Sequence, residues 1–182
     1  MIQVAPGRAQ DTREPFDRLD VSLHAIADTG NQDFHDYWDA GRGLGFEAAT
    51  PFYAGSLATL VRFIHNDAVR GAGTPSVNAW GLQAGWWAGR DVTGGMRLSL
   101  GASLGITQWE FPDEDNDALG RESEIGIEAG ARVGWSFTPS WGVAVTGSLQ
   151  RTFTHDRIDL VLVSVGVVRT FGMPEWLRAG LR

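Results

Sequence analysis

The chain has 182 residues, a net charge of −7 and no cysteine, which predicts one compact unit without disulfides or thiolate metal sites. Its acidic pI, near 5.0, argues against nucleic acid as a partner. No apolar run approaches the roughly 20 residues that a transmembrane helix requires. By contrast, 24 glycines and 8 tryptophans at a mean hydropathy of −0.14 are typical of a transmembrane β-barrel.

The first segment, residues 1–17, is polar and lacks a hydrophobic period, so we predict a lead-in to the first strand. Its start contains no charged region followed by the apolar core of a secretory signal. If the chain belongs to a membrane barrel, a signal peptide is expected to precede it in the native precursor.

Eight segments then alternate apolar and polar residues with a period of two, which predicts eight β-strands. The predicted ranges are 18–28, 42–52, 56–65, 77–88, 96–109, 122–137, 141–153 and 158–171. The connections between them are alternately long and short, except that the last one, 154–157, is brief. This alternation is typical of outer-membrane barrels, which have long external loops and short periplasmic turns.

The fifth and sixth strands indicate which face lies inside. In 97–107 one face carries only leucine, alanine and isoleucine, and the other carries mostly glycine, serine and threonine. Small residues suit the narrow lumen of a small barrel, and an apolar face without charge suits lipid. We therefore predict an all-β, eight-stranded antiparallel up-and-down transmembrane barrel over 18–171. A soluble lipocalin-like binder with the faces reversed is the alternative.

With these features the chain resembles the small eight-stranded outer-membrane barrels of Gram-negative bacteria, the class of the OmpA transmembrane domain, OmpX and OmpW. The resemblance implies a bacterial outer-membrane location, contact with the lipid bilayer and lipopolysaccharide, and both termini, including the lead-in, in the periplasm. Ser164, Gly166 and Phe171 match the assembly signal of the family's last strand. Arg169 departs from that signal, because an apolar or aromatic residue is expected at its position, and the chain continues beyond the strand to residue 182.

Aromatic residues gather near both ends of the predicted strands, which indicates two girdles at the membrane interfaces. The girdle beside the short turns comprises Phe52, Tyr53, Trp86, Trp135, Phe137, Trp141 and Phe171. The second predicted girdle, near the long loops, comprises Phe34, Tyr37, Trp38, Trp109, Phe111 and Phe153.

Ionisable residues on the polar face predict a charge network in the lumen. Its members are Asp20, His24, Glu47, Arg62, Arg97, Glu124, Glu128 and Arg132. Because an unpaired buried charge costs several kcal/mol, we expect arginine–carboxylate pairs that plug the lumen. The same pairs could instead build a narrow gated channel.

Two segments outside the strands offer further candidate sites. Asp113, Asp115 and Asp117 in the third long loop alternate as calcium ligands can, although the sixth-position glycine and distal glutamate of an EF-hand are missing. We favour a solvated acidic loop. The tail 172–182 places Pro174 before Trp176 and nearby arginines, which suits a short interfacial helix or a docking segment for a protein partner.

For function, the sequence predicts a non-enzymatic barrel without a cofactor, which stabilises the membrane or presents its loops to a partner. One alternative is an OmpW-like channel for small hydrophobic molecules, whose predicted lining is Trp87, Ile26, Leu60, Leu162 and Val168. A second alternative is a lipid A-modifying enzyme, which needs a histidine beside a nucleophile or carboxylate. Ser22 and His24, with Asp20 on the same face, are its candidates, and the other histidines are His35, His65 and His155.

Overall fold

Eight antiparallel strands close into a barrel, in which each strand pairs with its sequence neighbours and β1 pairs with β8. This computed structural model describes residues 15–28, 32–71, 73–111, 120–153 and 158–180. The strands are β1 (Arg18–Asp28), β2 (Arg42–Phe52), β3 (Gly55–Asn66), β4 (Val77–Asp91), β5 (Met96–Phe111), β6 (Gly120–Ser136), β7 (Trp141–Thr152) and β8 (Ile158–Gly172). The predicted eight-stranded antiparallel barrel is confirmed.

The β5–β6 hairpin is longer than predicted. Its register continues past residue 109 through Glu110 opposite Arg121 to Phe111 opposite Gly120. These residues are too polar to be assigned to a membrane strand by composition, but the backbone ladder and a 3.4 Å ion pair between Glu110 and Arg121 extend the hairpin. β4 is also longer than predicted and runs to Asp91.

The three short connections, 53–54, 92–95 and 137–140, lie at the same end of the barrel as the start of β1 and the end of β8. We call this end the terminal end and the opposite one the long-loop end. Positive φ angles at Tyr53 (52°), Gly94 (57°) and Gly95 (79°) allow two of these turns to be tight. At the long-loop end, the chain between β1 and β2 forms a short helix, α1 (Gln32–His35), which the sequence pattern did not predict.

The two faces of the strands follow the predicted alternation. Leu100 is 69 % exposed and Ile127 45 % exposed on the outside of the barrel. Glu128, the next residue after Ile127 in β6, is only 7 % exposed and lies in the lumen. This arrangement contradicts the soluble alternative, which requires the apolar faces to pack into an interior core.

A second short helix, α2 (Glu175–Gly180), follows β8 in the tail. The carbonyl oxygen of Pro174 accepts hydrogen bonds from the amides of Leu177 (3.1 Å) and Arg178 (3.0 Å), which starts the first turn. The helix leaves Trp176 76 % exposed. Within the described ranges, no helix combines the length and apolar character needed to cross a membrane.

Candidate functional site in the barrel lumen

An apolar cluster, which we call the apolar cap, fills the lumen near the long-loop end. It consists of Ile26, Phe34, Ile64, Val77, Ala79, Trp109, Leu160 and Leu162. α1 places the ring of Phe34 6.2 Å from that of Trp109, between centroids, and Trp109 is only 1 % exposed. The prediction that Phe34 and Trp109 belong to a lipid-facing girdle is therefore wrong. Trp109 has the same strand parity as Thr107, and both side chains point inward.

Below the apolar cap, a buried ion pair crosses the lumen from β3 to β6. Nη1 of Arg62 lies 2.7 Å from Oε2 of Glu128, and the two side chains are 4 % and 7 % exposed. The second terminal nitrogen of Arg62 donates to Oε1 of Gln150, whose amide group donates to Thr107 (3.1 Å) and Thr152 (3.2 Å). We call this set the upper crossbar; it ties together β3, β5, β6 and β7.

A second ion pair, which we call the lower crossbar, connects β6 with β2. Arg132 donates from both terminal nitrogens to the two carboxylate oxygens of Glu47, at 2.7 and 2.6 Å, and from Nε to Thr146 at 3.0 Å. Its guanidinium carbon lies 4.4 Å from the ring centroid of Trp87. The bidentate geometry and the stacked indole hold the guanidinium in one orientation.

Glycines on neighbouring strands make room for these bulky interior groups. A Cβ at residue 101 would overlap the indole of Trp87, and one at residue 81 would lie 3.0 Å from Cγ of Arg62. The glycine-rich polar face therefore reflects a lumen packed with large side chains, several of which lie directly against a glycine.

Among the other predicted network members, Asp20 and Arg97 lie at the terminal end, away from the upper crossbar. Asp20 accepts a hydrogen bond from Thr170 (2.7 Å) and pairs with Arg18 (3.3 Å). Arg97 pairs with Asp91 at 2.9 Å. Both pairs line a vestibule of about 200 Å³ at the terminal end. Glu124, half-buried, lies near the long-loop end opposite Thr107 in the β5–β6 register. The predicted single network is thus divided among several levels, because alternation specifies a face but not a height along the barrel axis.

His24 is buried and forms a 2.7 Å hydrogen bond with Oγ of Ser22 through Nε2. Its other ring nitrogen, Nδ1, is buried and has no hydrogen-bond partner in the described part of the chain. A hydrolytic triad needs a carboxylate at that nitrogen to orient the ring, so the candidate set of Asp20, Ser22 and His24 does not assemble one.

Two of the remaining histidines, His35 and His65, lie in the described part of the chain and bind polar groups of the fold. Nδ1 of His35 donates to the carbonyl of Trp38 and Nδ1 of His65 to Oδ1 of Asn78, each at 2.7 Å. Across the described ranges, no three His, Cys, Asp or Glu side chains are grouped as metal ligands. His155 and the proposed calcium ligands Asp113, Asp115 and Asp117 lie outside the described residues.

The seven residues of the first predicted girdle surround the terminal end. Trp86 and Trp135 are 42 % and 52 % exposed, and their indole N–H groups donate to the carbonyls of Phe52 and Gly94, both at 3.2 Å. Tyr53, Phe137, Trp141 and Phe171 are also exposed on the outside, while Phe52 packs on Phe16 with ring centroids 5.4 Å apart. We call this set of rings the aromatic rim.

The luminal side chains leave little space between the two ends. Gln150, Thr152, Ile64 and Trp109, which lie at or above the upper crossbar, are each at most 2 % exposed. A cavity of about 40 Å³ lies around the crossbars. Little room for water therefore remains around the upper crossbar and the apolar cap.

Neither a protein-family model nor a curated protein matches this sequence. Solved structures do match over most of its length. Neisserial surface protein A superimposes with a TM-score of 0.62 at 13 % identity, over 85 % of this chain and 96 % of that one. The N-terminal β-barrel domain of Pseudomonas aeruginosa OprF gives 0.55 at 14 % identity, over 87 % and 100 %.

The fold is that of the small eight-stranded outer-membrane β-barrels. Ail, the attachment invasion locus protein of Yersinia pestis, matches similarly, with a TM-score of 0.53 at 10 % identity over 85 % of this chain and 97 % of that one. The resemblance suggested by the strand pattern is confirmed at the level of fold.

Proposed function

We propose that the protein is an integral outer-membrane barrel with a closed lumen, which anchors and presents its long-loop end and neither conducts solutes nor catalyses a reaction. The apolar outer surface and the aromatic rim support the membrane placement, since a lipid-facing barrel needs both. On this proposal the terminal end faces the periplasm, so the aromatic rim lies at the inner interface.

The closed lumen is the observation that carries the proposal. A solute crossing the barrel would have to displace the apolar cap and separate two ion pairs. In the upper one, both side chains, Arg62 and Glu128, are buried. Removing one partner from such a pair leaves an uncompensated charge in a low-dielectric site, which is strongly unfavourable. Resting conduction is therefore opposed by packing and by electrostatics together.

The long-loop end supplies a surface that is held in place. Residues 37–39 are joined to the chain that follows β3 by hydrogen bonds from Val69 to Tyr37 (2.9 Å) and from Asp39 to Asp67 (2.8 Å), and by the indole of Trp38 donating to Pro75 (2.9 Å). Tyr37 is half exposed on this joined surface. A preordered loop pair lowers the entropic cost of binding, which favours a role in presenting loops to a partner.

The test is single-channel recording in planar bilayers, with folding checked by heat-modifiable gel migration. We expect heat-modifiable protein that inserts without producing discrete current steps, while a large trimeric porin, as positive control, conducts in the same bilayers. Reproducible channel steps from the wild-type protein would overturn the closed-lumen proposal. Lipid A mass spectra from cells with and without the protein test the non-enzymatic part; a changed acyl pattern would contradict it.

A further inference from the structure

Arg169 is a cation on the outer surface of the barrel, within the aromatic rim. In β8, Val163, Val165, Val167 and Phe171 share its parity, and all four are exposed on the outside. Its register partners are Trp141 on β7 and Val21 on β1. The guanidinium carbon lies 4.5 Å from the ring centroid of Trp141 and 5.5 Å from that of Phe171. The cation is therefore held beside two aromatic rings that face the membrane.

The charge of Arg169 is not neutralised by a carboxylate in the described part of the chain. The crossbar arginines each bind a glutamate, and the outward-facing Arg151 binds Asp159 through two 2.7 Å contacts. Aromatic faces attract a cation but carry no net charge, so they position the guanidinium without neutralising it. An anion supplied from outside the chain would complete the site.

We propose that Arg169, with Trp141 and Phe171, binds the phosphate of a glycerophospholipid in the leaflet around the terminal end. This inference rests on the membrane placement proposed above. Aromatic belts lie at the level of lipid headgroups, where phosphate is the abundant anion. A guanidinium presents a planar fork that matches phosphate oxygens, and stacking on the rings fixes its orientation before the lipid arrives.

The turn beside the site holds one of the two rings in place. Oγ1 of Thr138 accepts the backbone N–H of Trp141 at 3.0 Å, and the carbonyl of Ser140 accepts the N–H of Thr170 at 3.0 Å. The 137–140 turn is thus bonded to the strand that carries Arg169. The unexpected arginine in the last strand then has a specific role, which an apolar residue at that position could not perform.

The test measures phosphatidylglycerol binding to the folded barrel in detergent by native mass spectrometry. For Arg169→Gln we expect the apparent dissociation constant of the first bound lipid to rise about fivefold, the contribution of one basic side chain at an anionic lipid surface. Arg169→Lys keeps the charge without the fork and should give a smaller rise. Arg90→Gln is the matched control, because Arg90 is also exposed at the terminal end, opposite the outward-facing Leu98, and contacts no aromatic ring among the described residues.

An unchanged constant in Arg169→Gln would overturn the site, and so would an equal rise in Arg90→Gln, which would indicate net charge alone. A diacylglycerol, which has the acyl chains but no phosphate, is titrated in the same way and should bind without dependence on Arg169; an equal rise for this lipid in Arg169→Gln would contradict phosphate recognition. All variants are first checked for insertion into phosphatidylcholine vesicles. A wild-type chain that fails to insert would overturn the membrane placement itself, whereas inserted protein without an Arg169 effect would overturn only the phosphate site.

Discussion

Trp87 occupies the space that Gly101 leaves open on the neighbouring strand, in direct register with it. The indole in turn lies 4.4 Å from the guanidinium carbon of Arg132, which carries the bidentate bond to Glu47. A missing side chain on β5 therefore helps to set the geometry of an ion pair between β6 and β2.

Gly101→Ala should destabilise the barrel by about 1–3 kcal/mol, since the added methyl group overpacks a filled lumen. The free energy of unfolding in urea, measured in phosphatidylcholine vesicles, gives the comparison. Gly147→Ala is the control, because a Cβ at residue 147 meets nothing within 4 Å. Equal stability losses in the two variants would contradict the packing argument.

Breaking the upper crossbar from one side should be costly. Glu128→Leu leaves Arg62 charged and buried, and we expect a loss of about 3–5 kcal/mol. Combining it with Arg62→Met should cost much less than the sum of the two single changes, because no charge is then stranded. Arg151→Gln, which breaks the exposed pair with Asp159, should have a far smaller effect. Additive costs for the Arg62 and Glu128 variants would show that the pair is not coupled.

The outward direction of the apolar face predicts a depth-dependent penalty for charge. Leu104 is 59 % exposed near the middle of β5, so Leu104→Arg should cost about 2–4 kcal/mol, while Met96→Arg at the strand end should cost about 0–1 kcal/mol. Urea titration in vesicles measures both. Similar penalties at the two positions would argue against a bilayer around this strand.

The interior position of Trp109 can be separated from the rim position of Trp135 by fluorescence. In vesicles of brominated lipid, Trp135→Phe removes an emitter that contacts lipid, so the quenched fraction of the emission should fall. Trp109→Phe removes a shielded emitter, so that fraction should rise. A fall in both variants would place Trp109 on the lipid face.

Much of the fold can be predicted from the period-two alternation of the sequence. β1 and β2 have the predicted bounds, and the parity of β5 correctly assigns Leu100 outward. Strand parity alone also places Trp109 inward, because a position near the end of a strand does not determine which face of the barrel a residue lies on. α1 could not be predicted, since its position depends on Phe34 packing into the apolar cap, a contact between distant parts of the chain.

Which arginine pairs with which glutamate inside the lumen is harder to predict from the sequence. The sequence indicated that Glu47, Arg62, Glu128 and Arg132 face inward, but not that Arg62 binds Glu128 while Arg132 binds Glu47. Partners across a barrel depend on strand tilt and stagger, which relate residues on strands that are not neighbours. In the sequence, Gln150 is one of several polar residues of β7, and its role as the bridge from Arg62 to Thr107 follows from that same stagger.

The seam between β1 and β8 joins Arg18 to Gly172, almost the full length of the described chain apart. The barrel therefore cannot close until β8 has been synthesised. A polypeptide ending before Ile158 would leave β1 and β7 with open edges, whose unsatisfied amides and carbonyls hydrocarbon does not tolerate. A frameshift just before β8 should thus be as damaging to the barrel as one in β1.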